Sequence, residues 1–230
     1  MSAGSTEPQS YDPEARGLRL VPVLLMLTMV SGLIDAVSYL GLGHVFTANM
    51  TGNVVVLGFA AAGAPGFSVP HTLTSLVSFL VGAVAGGRIA RRLGGGTRRT
   101  WARVTLAVEA AFVGVSAVVA FAAPGATGTT YTLISLTAIA MGLRNATVRK
   151  LGVPDLTTTV LTMTLTGLAS DSPAGDGSGK RSPRRTGAVL AMLAGALLGA
   201  WLVLHHGLGI PLLIAAVVSG VLAVAASGRE

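Results

Sequence analysis

Cysteine is absent from the 230 residues, which excludes disulfides, thiolate metal sites and cysteine nucleophiles. Charge is scarce too: Asp, Glu, Lys and Arg make up 11% of the chain, against about 25% in a typical soluble domain. Together with 51% hydrophobic residues and a mean hydropathy of +0.71, that shortage excludes an ordinary water-soluble domain. Aromatic residues are few (6 Phe, 3 Tyr, 2 Trp), whereas glycine numbers 31. Such a balance suits helices packed closely through small residues, as in lipid-embedded bundles. No G-x-S-x-G, H-E-x-x-H or P-loop pattern occurs, so neither an enzyme nor a cofactor is expected. Acidic residues are the scarcer sign, 9 against 16 basic, for a net charge of +7. In a soluble protein that excess would raise nucleic acid as a partner. In a membrane protein it sets topology, so the expected partner is the lipid bilayer and not nucleic acid.

A bilayer-spanning helix needs about 20 mostly apolar residues. Six segments approach that length, at about 18–40, 71–90, 101–123, 130–148, 186–204 and 208–227. Two more apolar segments, 49–62 and 157–169, are too short to span comfortably. The polar residues 1–17 read as a disordered N-terminal tail, and 18–230 as a single transmembrane domain. Charge placement decides how many segments cross. If all eight cross, the basic residues divide seven against nine, with no asymmetry. If the two short segments dip in and return, all 16 fall on one face, and the loops at 41–70, 124–130 and 205–208 carry none. The positive-inside rule favours the second arrangement and places both termini in the cytoplasm of a cell-membrane protein.

The chain also repeats itself. Gly32-Leu33-Ile34-Asp35-Ala36 is echoed 110 residues later by Gly142-Leu143-Arg144-Asn145-Ala146, and each is followed by a glycine and a threonine-rich stretch. The next span carries a small-xxx-small pair in both halves, Gly82 with Gly86 and Gly195 with Gly199, at an offset of 113. Three crossings per half are an odd number, so the halves must be oppositely oriented. The expected fold is therefore all-α: six transmembrane helices plus two short re-entrant helices in a 3+3 inverted repeat, with halves at about 18–123 and 130–227. In such folds the binding site lies between discontinuous helices, and backbone that breaks the helix must be buried in protein or line a cavity.

Residues 44–49 are long enough to descend roughly 20 Å as extended chain, and a helix to Ala62 returns about 21 Å. Thr47 and Asn49 are good N-cap types, and Pro154-Asp155 before Thr157 is a similar start signal. Helix N-termini offer free N–H groups and positive partial charge, which favours an anion or a polar neutral solute. Asn49, Thr51, Asn53, Thr158, Thr159 and Thr162 are the expected lining, though the same side chains could serve only to cap and hydrogen-bond the turns. Asp35 is the one acidic residue of the first span and, with Tyr39 one turn away, a candidate coupling or gating group. Its alternative is a buried carboxyl that fastens the loop. Glu109 and Arg144 both fall in the inner half of adjacent spans and are expected to form a structural ion pair. His205-His206 lack a third ligand, so no metal site is expected. Trp101 and Trp201 fit interfacial anchors.

The run from Gly32 to Ala36 with Ser38-Tyr39-Leu40, Gly43 to Phe46 and Ala48-Asn49-Met50-Thr51-Gly52-Asn53 resembles the YoaK-like family of bacterial integral membrane proteins, a domain of unknown function. Met141 to Ala146 and Leu151 to Leu156 are similar to that family's second motif. The resemblance runs from about residue 20 to 226, and Arg144 departs from it, standing where an uncharged amide is expected. The family implies no established activity. The residues therefore leave three readings: a small-solute or ion transporter or channel, a non-transporting scaffold or partner-binding subunit, and an intramembrane enzyme acting on lipid. The small-xxx-small pairs suit either a homodimer or packing within one chain. Because the chain has no native cysteine, one introduced at Gly95 should react with an impermeant thiol reagent only from the cytoplasm and one at Gly63 only from outside. Labelling of both from the same side overturns the six-crossing arrangement.

Overall fold

The computed structural model describes residues 20–92, 98–151, 161–175, 177 and 182–225. The expected tail at 1–17, Gly95, and Thr158 and Thr159 lie outside them. Among the described residues, eight helices occupy the eight apolar segments: α1 (Leu20–Gly41), α2 (Met50–Ala61), α3 (Val69–Arg92), α4 (Arg98–Ala122), α5 (Thr127–Leu151), α6 (Leu161–Ser170), α7 (Ser182–His206) and α8 (Gly209–Ala225). No strand occurs among the described residues. Among the described residues, four helices are long and apolar enough to cross a membrane: α1, α3, α4 and α7. α2 and α6 have 12 and 10 residues, well short of the roughly 20 a span needs. α8 is apolar with 17 residues.

α5 has the length, 25 residues, but not the apolar composition. Burial explains this. α1 and α5 are the inner helices, and α5 buries Thr137, Arg144 and Thr147. Its threonines satisfy themselves locally, Thr137 Oγ1 donating to the Leu133 carbonyl and Thr147 Oγ1 to that of Leu143. The outer helices α3 and α7 show the opposite pattern. Leu73, Val77 and Leu80 on α3, and Leu193, Leu197 and Leu204 on α7, are exposed, which in a bundle of this composition is a lipid-facing surface. Trp201 is also exposed and stacks on His205, as an anchor should. Trp101 is buried, contrary to the expectation of a second anchor.

α1 packs on α7, α3 on α5, and α4 on both α5 and α8. Glycine sets how closely the first two pairs approach. A Cβ at Gly32 would collide with the Met192 carbonyl, and one at Gly195 with that of Met29. A Cβ at Gly142 would likewise meet the Phe79 carbonyl, and one at Gly82 that of Ile139. Backbones at this distance exchange close van der Waals contact that larger residues forbid, and that contact drives association where lipid removes the hydrophobic incentive. The small-xxx-small pairs are thus used inside the chain, and they no longer speak for a homodimer.

The middle of the bundle is filled. Ile34, Leu133, Ile134, Met141 and Leu212 are fully buried and belong to one cluster with Val113 and Ala117. Gly82→Ala should therefore lower the thermal midpoint of the detergent-solubilised protein, overpacking of this kind costing about 1–3 kcal/mol. Gly87→Ala on the same helix faces open space and should leave the midpoint unchanged or slightly raised. Equal effects of the two substitutions would contradict the packing described.

Candidate functional site

After α1 the chain reverses through Gly43 (φ 84°) and His44 (φ 59°), while the His44 N–H reaches back to the Tyr39 carbonyl. Gly43 is required twice here, by its left-handed backbone and because a Cβ would lie 2.6 Å from His71 Nδ1. The segment that follows folds back along α1 to the level of Asp35, less than two turns before the helix ends, or about 9 Å. Val45, Thr47 and Ala48 are buried there, so their backbone groups need partners within the protein.

The partners come from the motif residues. Asp35 Oδ1 accepts from the Thr47 N–H at 3.1 Å and the Ala48 N–H at 2.8 Å. Asn53, fully buried, clamps Phe46 from both sides. Its Oδ1 accepts from the Phe46 N–H at 2.8 Å, and its Nδ2 donates to the Phe46 carbonyl at 2.6 Å and to Ser75 Oγ at 3.0 Å. Ser75 Oγ donates to the same carbonyl at 2.6 Å. Asn49 caps α2, its side chain accepting from the Gly52 N–H. Gly52 must lack a side chain because a Cβ would lie 2.7 Å from the Phe46 ring. The Ala48-to-Asn53 motif is thus the set of groups that lets an irregular loop sit inside a bundle.

One oxygen is left over. Asp35 is 5% exposed, and its Oδ2 has no hydrogen-bond partner among the described residues. Asp35 lines a cleft of about 310 Å³ between α1, the loop and α7. Tyr39, Phe46 and Asn49 share its wall, and Ala196 and Ala200 of α7 face them. Tyr39 and Phe46 stack with centroids 4.8 Å apart. Of the expected lining, Asp35, Tyr39 and Asn49 therefore meet at one cleft. Thr51 points outward, Asn53 is consumed in the clamp, and Thr162 is exposed on α6.

A second polar centre lies where α1, α4, α5 and α8 meet. Arg144 and Glu109 are both buried and form a two-pronged pair, Arg144 Nε donating to Glu109 Oε2 at 2.9 Å and Nη2 to Oε1. Nη1 donates to the Leu27 carbonyl at 2.9 Å and to Ser31 Oγ at 3.0 Å, and Nη2 also to Ser219 Oγ at 3.1 Å. Every N–H of the guanidinium is thereby used. Ser219 in turn donates to Glu109 Oε1 at 2.8 Å. Nothing on this cluster is free to bind a ligand. On α7, Arg185 donates to the Gly167 carbonyl at 2.8 Å and pairs with Asp171, closing the C-terminal end of α6. No group of three or more His, Asp or Glu side chains able to hold a metal occurs among the described residues.

Sequence reasoning missed Ser75, Ser31, Ser219 and the α7 wall of the cleft. Ser219 carried a signal, since it follows Glu109 by the same 110 residues that separate the two Gly-Leu motifs. The others are common residue types brought in from distant segments.

Residues 23–225 match the family described as protein of unknown function (DUF1275). The chain belongs to this family. It is also similar to the UPF0700 transmembrane protein YoaK of Bacillus subtilis (strain 168), with 39% identity over 153 residues, covering 65% of each chain. The matched region thus spans a little under two thirds of that curated relative's length. No solved structure matches the chain. The DUF1275 chain described here is accordingly a multi-pass membrane protein.

Truncating Arg144 to Met would leave the Glu109 carboxylate buried without its partner, a change that costs about 3–5 kcal/mol. Arg144→Met should therefore collapse the folded yield or sharply lower the thermal midpoint. Adding Glu109→Gln to the same chain should recover much of the loss. A midpoint indifferent to Arg144→Met would show that the cluster does not hold these helices.

Proposed function

We propose that this DUF1275 protein is a non-enzymatic transporter or channel for a small polar solute, with its solute site in the Asp35 cleft. The fold that goes with the proposal has six crossings, two re-entrant elements, oppositely oriented halves and both termini in the cytoplasm. Helix pairing supports the repeat. Gly32 against Met192 in the α1–α7 contact corresponds to Gly142 against Phe79 in the α5–α3 contact. Gly195 against Met29 corresponds to Gly82 against Ile139, and Gly199 against Leu33 to Gly86 against Leu143. All three pairs of contacts interchange under the offsets of 110 and 113 that relate the sequence motifs. The exchange α1↔α5, α3↔α7 and α4↔α8 thus maps each contact onto another, as two halves of one design require.

The observation that carries the solute site is the divided use of Asp35. One oxygen holds the loop, the other is buried with no hydrogen-bond partner among the described residues, and the residue lies in the wall of the cleft. A buried carboxylate is costly, and a protein that needed it only as a fastener could satisfy both oxygens. A solute that reached Oδ2 once the cleft opened further would share its charge with the bonds to Thr47 and Ala48. Occupancy of the cleft and position of the loop are then linked through one side chain, which is the coupling a gate needs.

One feature favours the second reading, a non-transporting scaffold. The polar cluster on Arg144 is saturated and the residues around it are fully buried, so this state offers no passage between α1, α4, α5 and α8. In the transport reading that packed centre is the closed side of the cleft.

Liposome swelling under isosmotic panels of ammonium, carboxylate, polyol and amide solutes separates the two. The transport reading expects wild-type protein to speed entry of at least one class over protein-free liposomes. Ala200→Leu, which fills the cleft and leaves the loop bonds intact, should cut that rate about tenfold, a change of about 1.4 kcal/mol. No acceleration for any class by protein shown to be folded would favour the scaffold.

A further inference from the structure

We infer that the arginine-bearing ends of α3, α4 and α5 together form a binding surface for an anionic phospholipid, held by its phosphate. The surface is separate from the Asp35 cleft, and the inference does not rest on transport. Arg88, Arg91, Arg92, Arg103, Arg149 and Lys150 are all exposed. Contacts deeper in the bundle bring them to one level. Gly82 of α3 lies against Ile139 of α5, and Gly86 against Leu143 and Ala146, so these two helices run in the same direction. Arg91 and Arg92 come five and six residues after Gly86, and Arg149 and Lys150 three and four after Ala146. On the other flank of α5, Arg144 pairs with Glu109 and Val148 shares a cluster with Leu106, so α4 runs antiparallel. Arg103 lies six residues before Glu109 and Arg149 five after Arg144, or about 9 and 7.5 Å along their axes. The cations of three helices therefore meet at a common depth.

No carboxylate among the described residues neutralises them. Asp35 fastens the loop after α1, Glu109 is taken by Arg144, and Asp171 by Arg185. The apolar surface that leads to these cations names the source of the missing anion. On α3 the exposed stripe of Leu73, Val77, Leu80 and Val84 continues at the same helical spacing into Arg88 and Arg91. On α4 the exposed residues Val118, Val115, Ala111 and Ala107 lead in steps of three or four to Arg103. Both stripes of lipid-facing side chains thus end in arginine. A phospholipid matches both parts, with acyl chains along the valines and a phosphate that guanidinium groups can hold with two parallel N–H···O bonds. A soluble anion or an acidic protein would use the charge alone. In α7 the positions 113 residues after Arg88 and Arg92 hold Trp201 and His205, which stack on each other. An aromatic pair there suits the membrane interface whatever the headgroup, whereas arginine selects negative ones.

The test is lipid binding to full-length protein in dodecyl maltoside, an uncharged detergent, read as thermal midpoint and as lipid retained in native mass spectra. The probes are dioleoyl phosphatidylglycerol, dioleoyl phosphatidylcholine, sodium phosphate and soluble polyglutamate. Phosphatidylglycerol should raise the midpoint saturably and stay bound. Phosphatidylcholine, whose headgroup has no net charge, and sodium phosphate, which has no chains, should not compete with it. Joint Arg88→Gln and Arg91→Gln should weaken phosphatidylglycerol at least about tenfold. The lipid-free midpoint should stay at the wild-type value, because both side chains are exposed. Arg184→Gln removes an exposed cation of α7, outside this surface, and should bind as wild type does. Should the Arg88 and Arg91 variant fail to fold, Arg103→Gln with Lys150→Gln on the other two helices carries the same expectation. Equal binding of phosphatidylcholine, an equal loss from Arg184→Gln, or phosphatidylglycerol binding that survives the substitutions would each overturn the inference. So would absence of saturable binding by folded protein, which would leave the arginines with orientation as their one role. Stabilisation by sodium phosphate equal to that by phosphatidylglycerol would replace the lipid with a soluble anion. Polyglutamate binding without phosphatidylglycerol binding would replace it with an acidic protein, and either result refutes the lipid site.

Discussion

A peptide group that leaves the helical ladder inside an apolar bundle has no water to turn to, and the loop from Leu42 to Asn49 is built around that constraint. Its buried N–H and C=O groups cost several kcal/mol each if left alone. Asp35, Asn53 and Ser75 supply the missing partners, and Phe46 is held through both its N–H and its carbonyl. Once those bonds are made, the loop can lie beside α1 instead of passing over the surface. The cleft against α7 follows from that placement, since the Phe46 and Asn49 walls exist only where the loop runs.

Close helix approach is the second condition. Gly32 and Gly195 let α1 and α7 touch backbone to backbone, and Gly82 and Gly142 do the same for α3 and α5. Inner and outer roles are divided accordingly. α1 and α5 carry buried polar groups, whereas α3 and α7 present leucine and valine outward. The Arg144 cluster joins α1, α4, α5 and α8 through one guanidinium whose charge is cancelled by Glu109. A charge without that partner would cost the helix centre about 2.5–3.5 kcal/mol or more in hydrocarbon. The cluster is therefore a structural tie, whereas Asp35 keeps one buried oxygen without a partner among the described residues.

Much of this was legible in residue order. Hydropathy located the eight helices, and the length of the 49–62 segment marked α2 as too short to cross. The Glu109–Arg144 pair followed from two opposite charges at equal depth in neighbouring spans. The site was legible only in part. Asp35, Tyr39 and Asn49 share the cleft, but Thr51 and Asn53 could not be told apart from them by type, because capping, clamping and lining all use the same short polar side chains. Their roles differ by the direction of the side chain, which depends on where the loop is pinned.

Composition and order alone determined that the chain is a helical membrane protein, because apolar length and scarcity of charge act through the bilayer and need no knowledge of neighbours. They also determined the motif repeat, which is a property of spacing. Tertiary structure decided how each polar group is spent. It placed the backbone N–H groups that precede α2 against the chain's own carboxylate, where they fasten the loop. It also turned the glycine pairs inward, away from a second copy. Both decisions depend on which surfaces meet, and a contact between residues more than a hundred positions apart is written in neither of them singly.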